Sequence, residues 1–146
     1  MSNLLVFLVI SNLVNLWLIA AISLTKILHE RNESGWQILC AWIPLLAFIP
    51  VAKIMGMGFW KLFGILFLMT IVLKVVDGIL LNILMPGGAI VYLILIVIIY
   101  IWPTWFIWSK IAEVGQHDNP DMLGILTGLP IAGVFAIPYI AWAGRW

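Results

Sequence analysis

Charged residues are scarce in this chain, with seven basic and six acidic side chains among 146 residues and a net charge of +1. Such a balance provides no basic surface for binding nucleic acid. Hydrophobic residues make up 65% of the sequence, whereas soluble domains contain about 45–50%. A small soluble domain keeps much of its surface in water and could not bury so many apolar side chains. The sequence therefore predicts an integral membrane protein whose residues 1–146 form a single membrane domain.

Cysteine and catalytic motifs are equally scarce. The single cysteine, Cys40, excludes an internal disulfide and any zinc or iron–sulfur site that needs several cysteines. The sequence has no G-x-S-x-G elbow, no H-E-x-x-H helix and no phosphate-binding loop. These absences favour a protein that is not an enzyme and that has no cofactor.

What the chain does have is five apolar segments, at residues 4–28, 36–54, 59–85, 89–108 and 122–142. A helix needs about 20 apolar residues to cross a bilayer. Lipid offers no hydrogen-bond partner to the backbone, so spanning segments of this kind are helical. The first, third and fourth segments meet the length requirement. The predicted fold is an all-α membrane protein with three to four transmembrane helices.

The second and fifth apolar segments each contain two prolines. Pro44 and Pro50 lie in residues 36–54, and Pro130 and Pro138 lie in residues 122–142. Proline inside a helix removes a hydrogen bond and clashes with the preceding turn. We expect both segments to be kinked or broken. They either span with a kink or are re-entrant, entering and leaving on one side while buried against protein.

The basic residues distinguish these alternatives for residues 36–54, because Lys and Arg favour the cytoplasmic side. If that segment spans, one side carries Lys26, Arg31 and Arg145 and the other carries Lys53, Lys61 and Lys110. If it does not span, five share one side, with Lys74 and possibly Arg145 opposite. The five are Lys26, Arg31, Lys53, Lys61 and Lys110. We therefore expect an outside N-terminus, at most four spans, and a location in the cytoplasmic membrane of a bacterium.

Three predicted helix ends share a pattern of sequence. They read Thr25-Lys26-Ile27, Ala52-Lys53-Ile54 and Ser109-Lys110-Ile111, and each is followed by a glycine. The pattern indicates a lysine that ends a helix at the membrane interface, followed by a glycine turn and re-entry. It has two explanations: internal repetition, as in transporter folds, or chance in an apolar sequence of low diversity.

One pattern in the sequence is Gly35-Trp36, Ile43-Pro44 and Ala52-Lys53-Ile54, followed by Gly56 and Trp60. This pattern resembles that of a family of small, uncharacterised bacterial integral membrane proteins, and the resemblance covers roughly residues 25–142. A later Leu123-Gly124-Ile125 with Pro130 is similar to that family too. The family usually has an aromatic-Asn pair after the first proline, where this chain has Leu45-Leu46. The resemblance implies a membrane architecture and no particular activity.

Two polar loops contain both histidines and most of the acidic residues. The metal-ligating candidates are His29 and Glu33 in one loop and His117 and Asp121 in the other. Histidine and carboxylate groups suit a divalent cation such as zinc or manganese. The alternative, which we prefer, is that these are solvated connecting loops, because Asn, Asp and Pro are ordinary turn residues.

Some polar side chains lie inside apolar segments. Asn12 and Asn15 share a face of the first segment, where amides stabilise contacts with other helices; Asn82 is a possible partner. Lys74 and Asp77 are three residues apart and are predicted to form an ion pair near the outer interface.

Small residues recur every four positions in the last segment, at Gly124, Gly128, Ala132 and Ala136. A stripe of this kind lets another helix backbone approach closely. The predicted helix-packing interface consists of these four residues with Asn12 and Asn15. The partner helix could belong to this chain or to another subunit.

The preferred function is that of a non-catalytic accessory, assembly or structural subunit of a membrane complex, with other membrane subunits or further copies of itself as partners beside the lipid bilayer. The alternative is a small carrier or channel for a small solute or ion. A more distant alternative is a membrane enzyme with a metal at the cytoplasmic-face loops.

Overall fold

The computed structural model describes residues 2–84, 88–129 and 131–146. Within these ranges all regular secondary structure is helical, and there is no strand. The elements are α1 (Ser2–Glu30), α2 (Gly35–Ala41), α3 (Phe48–Ile54), α4 (Phe59–Leu84), α5 (Ala89–Val114), α6 (Pro120–Gly128) and α7 (Ala132–Ala143). The prediction of an all-α protein is confirmed. Met85, the last residue of the predicted third segment, lies outside the described residues.

Three of these helices are long and apolar enough to cross a membrane. They are α1, α4 and α5, with candidate spans at Leu13–Glu30, Phe59–Ile83 and Ile90–Val114. The remaining four helices have 7 to 12 residues, which is shorter than the roughly 20 residues that a span requires. The described chain therefore contains three candidate spans, and each proline-containing segment has become two short helices.

The segment at residues 36–54 folds into a first hairpin, formed by α2 and α3. Glu33, just before α2, forms an ion pair with Lys53 at the end of α3, so the hairpin begins and ends at the same place. Its prolines suit the break: Pro44 lies in the turn between the arms, and Pro50 lies in the first turn of α3. The first N–H groups of a helix have no intrahelical acceptor, so Pro50 costs no hydrogen bond there.

The last segment folds into a second hairpin, formed by α6 and α7. The backbone N–H of Arg145, after α7, donates to the carbonyl oxygen of Gly115, after α5, at 2.9 Å. The chain thus returns to the end of the molecule from which α6 started. Leu129 has an extended backbone with ψ 135°, as expected for a residue that precedes a proline. Pro130 itself lies outside the described residues.

The two hairpins follow helices that end alike. Asn32 after α1 and Gln116 after α5 have left-handed backbones, with φ 54° and φ 58°. Each lies six residues after the lysine of its helix, Lys26 or Lys110. In both turns the next N–H bonds back to a carbonyl five residues earlier, at 3.0 and 3.1 Å, which is the Schellman arrangement. Gly56 ends α3 in the same way, but it lies only three residues after Lys53.

Burial follows the same correspondence between α1 and α5. The residues two before, one after and two after the lysine are buried in both helices. They are Leu24, Ile27 and Leu28 in α1, and Trp108, Ile111 and Ala112 in α5. Packing is reciprocal as well: α2 and α6 contact the long helix that precedes them, while α3 contacts α5 and α7 contacts α1. This arrangement supports repetition of the first and third lysine ends, but the second end is out of register.

The main core lies where the two hairpins meet the long helices. Its members come from the last third of α1, from both hairpins, from the start of α4 and from the end of α5. Cys40 is fully buried beside this core. Trp108 is buried in it too, whereas Trp36 and Trp60 are exposed.

Candidate functional site: a two-part cleft along the second hairpin

A polar cavity of about 450 Å³ opens at the base of the second hairpin. Its wall combines the turn after α5, one face of α6 and the end of α7. The lining residues are Gln116, His117, Asp118, Asn119, Met122, Leu123, Leu126, Tyr139, Ala143 and Arg145. Because residues of both α6 and α7 line the cavity, it exists only when α7 is folded back on α6.

An apolar trough of about 690 Å³ continues from this cavity along the outer face of the hairpin. It is lined by Leu123, Leu126, Ala132, Phe135, Ala136, Pro138, Tyr139 and Trp142. Three of these residues, Leu123, Leu126 and Tyr139, line the polar cavity as well. The two volumes therefore adjoin along these three residues, and we refer to them together as a cleft with a polar mouth and an apolar length.

Side-chain contacts to the last turn of α7 hold the mouth together. The Nε2 atom of His117 lies 3.0 Å from the carbonyl oxygen of Ile140, and its ring centroid is 5.6 Å from that of Tyr139. The indole N–H of Trp146 donates to the carbonyl oxygen of Ala141 at 2.9 Å. The contacts of His117 hold the turn after α5 against the last turn of α7, and the Trp146 bond holds the C-terminal residues against that same turn of α7.

Two opposite charges stand at the mouth. Arg145 and Asp118 both line the polar cavity, and both are exposed. Neither forms an ion pair with any described residue of the chain. The mouth thus offers one cationic and one anionic group to a ligand.

Close packing of α6 on α5 forms the other side of the hairpin. A Cβ atom on Gly124 would lie 2.9 Å from both the backbone nitrogen of Ser109 and the carbonyl oxygen of Trp105. A Cβ atom on Gly128 would lie 2.8 Å from the Oγ1 of Thr104. These two glycines therefore face a helix of the same chain.

The expected straight stripe through Ala132 and Ala136 is wrong. These alanines belong to α7, which runs back along α6, so the two pairs of small residues are on different helices. Ala136 is buried, and Ala132 is half-buried beside the trough. The physical reason is the extended backbone at Leu129, which ends α6 before the stripe can continue.

The metal-ligating candidates are dispersed. Glu33 pairs with Lys53, and His29 is exposed at the end of α1. His117 lines the polar cavity, while Asp121 lines a separate cavity of about 500 Å³ beside Lys110 and Glu113. Among the described residues no three His, Cys, Asp or Glu side chains lie close enough together to hold a metal ion.

Polar side chains within the long helices differ from expectation too. The predicted ion pair of Lys74 with Asp77 is not among those of the described chain; the hydroxyl of Tyr92 donates to Asp77 at 2.7 Å instead. Asn82 donates to the carbonyl oxygen of Gly78 within its own helix at 2.8 Å. Asn15 is exposed, and the side chain of Asn12 lies outside the described part of the chain.

Sequence reasoning did not find the cleft. Its apolar wall on α7 carries Phe135, Tyr139 and Trp142, whose spacings of four and three residues place them on one helix face. That spacing is a sequence signal for the apolar wall. The polar mouth has no such signal, because no local sequence pattern indicates that Arg145 returns to the turn after α5.

Comparisons with protein-family models, with curated proteins and with solved structures found no match for this chain. The resemblance to small bacterial membrane proteins stays a hypothesis.

Proposed function

We propose that this chain is a non-catalytic integral membrane protein, an accessory, assembly or structural subunit of a membrane complex in the cytoplasmic membrane of a bacterium. In this proposal α1, α4 and α5 span the bilayer, and the two hairpins are re-entrant from one side. The partners are other membrane subunits or further copies of the chain.

The distribution of basic residues supports this placement. Re-entry of the second hairpin brings Arg145 to the end of the molecule where α1 and α5 end and α4 begins. The basic residues at that end are then Lys26, Arg31, Lys53, Lys61, Lys110 and Arg145, with Lys74 alone at the other. Because Lys and Arg favour the cytoplasmic side, that end is assigned to the cytoplasm and the N-terminus to the outside.

The observation that carries the subunit proposal is Asn15. This amide lies in α1 near the outer end of the candidate span Leu13–Glu30. It is about 22 Å along the helix axis from Glu30, which is still inside a hydrocarbon core about 30 Å thick. Its side chain is exposed and has no hydrogen-bond partner among the described residues. An amide in hydrocarbon gains about 0.6–2 kcal/mol from a polar partner on another helix, and that partner is assigned to another chain.

The surroundings of Asn15 favour the same assignment. Leu13 and Val14 are exposed next to it, whereas the described core residues of α1 lie further along the helix, from Ile19 to Leu28. The face at residues 13–15 is thus free to contact a helix from another chain. A face of this kind suits close helix–helix association in a bilayer, where packing and interhelical hydrogen bonds drive assembly.

Asn15→Leu tests the proposal, with Asn82→Leu as its matched control. Asn82 is an exposed amide in a spanning helix too, but it is already bonded to Gly78. We expect Asn15→Leu to reduce the native size of the protein in mild detergent, or to lose a co-purifying chain, while Asn82→Leu retains both. Equal assembly of wild type and Asn15→Leu would contradict the subunit proposal.

One observation favours the carrier alternative: two helical hairpins, each formed from a proline-broken segment, pack reciprocally against α1 and α5. Transporters often contain repeats with discontinuous helices. The described part of the chain buries no charged side chain, which disfavours a path for ions. Proton or potassium flux in proteoliposomes above that of empty vesicles would revive this alternative.

A further inference from the structure

We propose that the cleft along the second hairpin binds one glycerophospholipid whose headgroup carries a phosphate and a primary ammonium group. This inference goes beyond the proposed function and rests only on its membrane placement. It starts from the continuity of the polar mouth with the apolar trough through Leu123, Leu126 and Tyr139.

The shape of the cleft selects an amphiphile. The trough has almost no polar lining, and its volume of about 690 Å³ lies in the usual range for small-molecule pockets, about 300–1,000 Å³. A polar solute would leave the trough empty, and a plain hydrocarbon would leave the charged mouth unpaired. A lipid places a hydrocarbon chain and a charged headgroup in the order that the cleft offers.

The location of the mouth agrees with a headgroup. In the proposed topology the turn after α5 lies at the cytoplasmic face, and the trough runs from there toward the bilayer interior along α6 and α7. Trp142 lines the end of the trough that is nearer the mouth, and indoles favour the headgroup layer. The trough is open to the side, so a lipid can enter it from the bilayer.

The charges at the mouth select the headgroup. Arg145 can bind a phosphate through two parallel N–H groups, which suits its planar guanidinium. Asp118 can accept charge-assisted hydrogen bonds from a primary ammonium group. Both charges lack an ion-pair partner within the described chain, and the Nε2 atom of His117 is already engaged with Ile140. Arg145 is therefore assigned to the phosphate and Asp118 to the ammonium group.

Native mass spectrometry of delipidated protein tests the assignment with three probes added at equal concentration. The probes are dioleoyl phosphatidylethanolamine, its choline analogue, whose trimethylated nitrogen donates no hydrogen bond, and its glycerol analogue, which has no cation. We expect one phosphatidylethanolamine per chain, bound about tenfold more tightly than the choline lipid. A tenfold change in affinity corresponds to about 1.4 kcal/mol, which is close to the contribution of one hydrogen bond to a charged group. Equal binding of the ethanolamine and choline lipids would overturn the headgroup assignment.

Variants of the mouth separate its two charges. Asp118→Asn should abolish the preference for ethanolamine over choline while retaining binding. Arg145→Gln should weaken all three lipids about tenfold. Arg31→Gln, at the corresponding turn after α1, is the matched control. It should change neither the preference for ethanolamine nor the affinity for the three lipids. Loss of binding in Arg31→Gln equal to that in Arg145→Gln would show nonspecific attraction and contradict the site.

A blocking variant tests the trough. Ala132→Trp fills it, whereas Ile131→Trp, at a neighbouring position that is 80% exposed and does not line the trough, leaves it open. We expect loss of lipid only in Ala132→Trp. The thermal unfolding midpoint of both variants shows whether each is folded.

Glycerophosphoethanolamine, which has the headgroup without the chains, should not bind. Binding of that soluble headgroup, or equal loss in both tryptophan variants, would overturn the proposal. Asn15→Leu should keep its lipid, which separates this test from that of the proposed function.

Discussion

The Nε2 atom of His117 lies 3.0 Å from the carbonyl oxygen of Ile140 and joins the turn after α5 to the last turn of α7. The last four carbonyl groups of a helix have no intrahelical donor. Ile140 and Ala141 are among these four in α7, and they bond to the side chains of His117 and Trp146. The second hairpin is thus closed by side chains that cap its final turn.

Removal of this cap should weaken the hairpin. We expect His117→Ala to lower the free energy of unfolding by about 1 kcal/mol, the usual net contribution of one hydrogen bond. The measurement is equilibrium unfolding in mixed micelles. His29→Ala is the control, because that histidine is exposed and bonded to no other described side chain. Equal stability of the two variants would contradict a capping role for His117.

The glycines of α6 should differ in their tolerance of a methyl group. A Cβ at position 124 meets backbone atoms of α5, whereas one at position 128 meets the side chains of Thr104 and Ile101. Side chains can shift more easily than backbone. We expect Gly124→Ala to lower the free energy of unfolding by about 1–3 kcal/mol, the range for overpacked sites. Gly128→Ala should lower it by less.

Leucine extends this test to the predicted interface. We expect Gly128→Leu to disrupt folding, because α5 belongs to the same chain, while Ile131→Leu is tolerated on its exposed site. Thermal unfolding of the purified variants provides the comparison. Similar stabilities of Gly128→Leu and Ile131→Leu would show that α6 and α5 are not closely packed.

Both hairpins should begin and end on one side of the membrane. Cys40 is buried, so a Cys40→Ala background allows single cysteines to be labelled in intact cells with an impermeant maleimide. We expect positions 26, 53, 110 and 145 to be protected and position 88, between α4 and α5, to be the accessible one. Accessibility of position 53 would show that residues 36–54 span, and accessibility of position 145 would show the same for residues 122–142.

The polar loops should hold no stoichiometric metal. His117 and Asp121 line different cavities, and Glu33 is paired with Lys53. Elemental analysis of purified protein is the measurement. About one metal ion per chain, lost in both His29→Ala and His117→Ala, would favour the enzyme alternative.

Composition and local pattern determined much of this protein. The three long apolar runs predict α1, α4 and α5, because a helix is the structure that satisfies the backbone in lipid. The paired prolines predict breaks in the other two apolar segments, and proline acts on its own neighbourhood in the chain. The resemblance between the helix ends at Lys26 and Lys110 could be read as well, since a helix cap involves only adjacent residues.

Contacts between distant residues were decided by the tertiary structure alone. The ion pair of Glu33 with Lys53 closes the first hairpin, and the bond from Arg145 to Gly115 closes the second. Neither pair has a sequence signature, because each depends on where two remote segments meet. The predicted continuous stripe of small residues is wrong for the same reason: the four-residue period continues past Leu129, but the helix ends there. The cleft beside α7 exists because that turn sends Tyr139 and Arg145 back to His117, and no local pattern records the reversal.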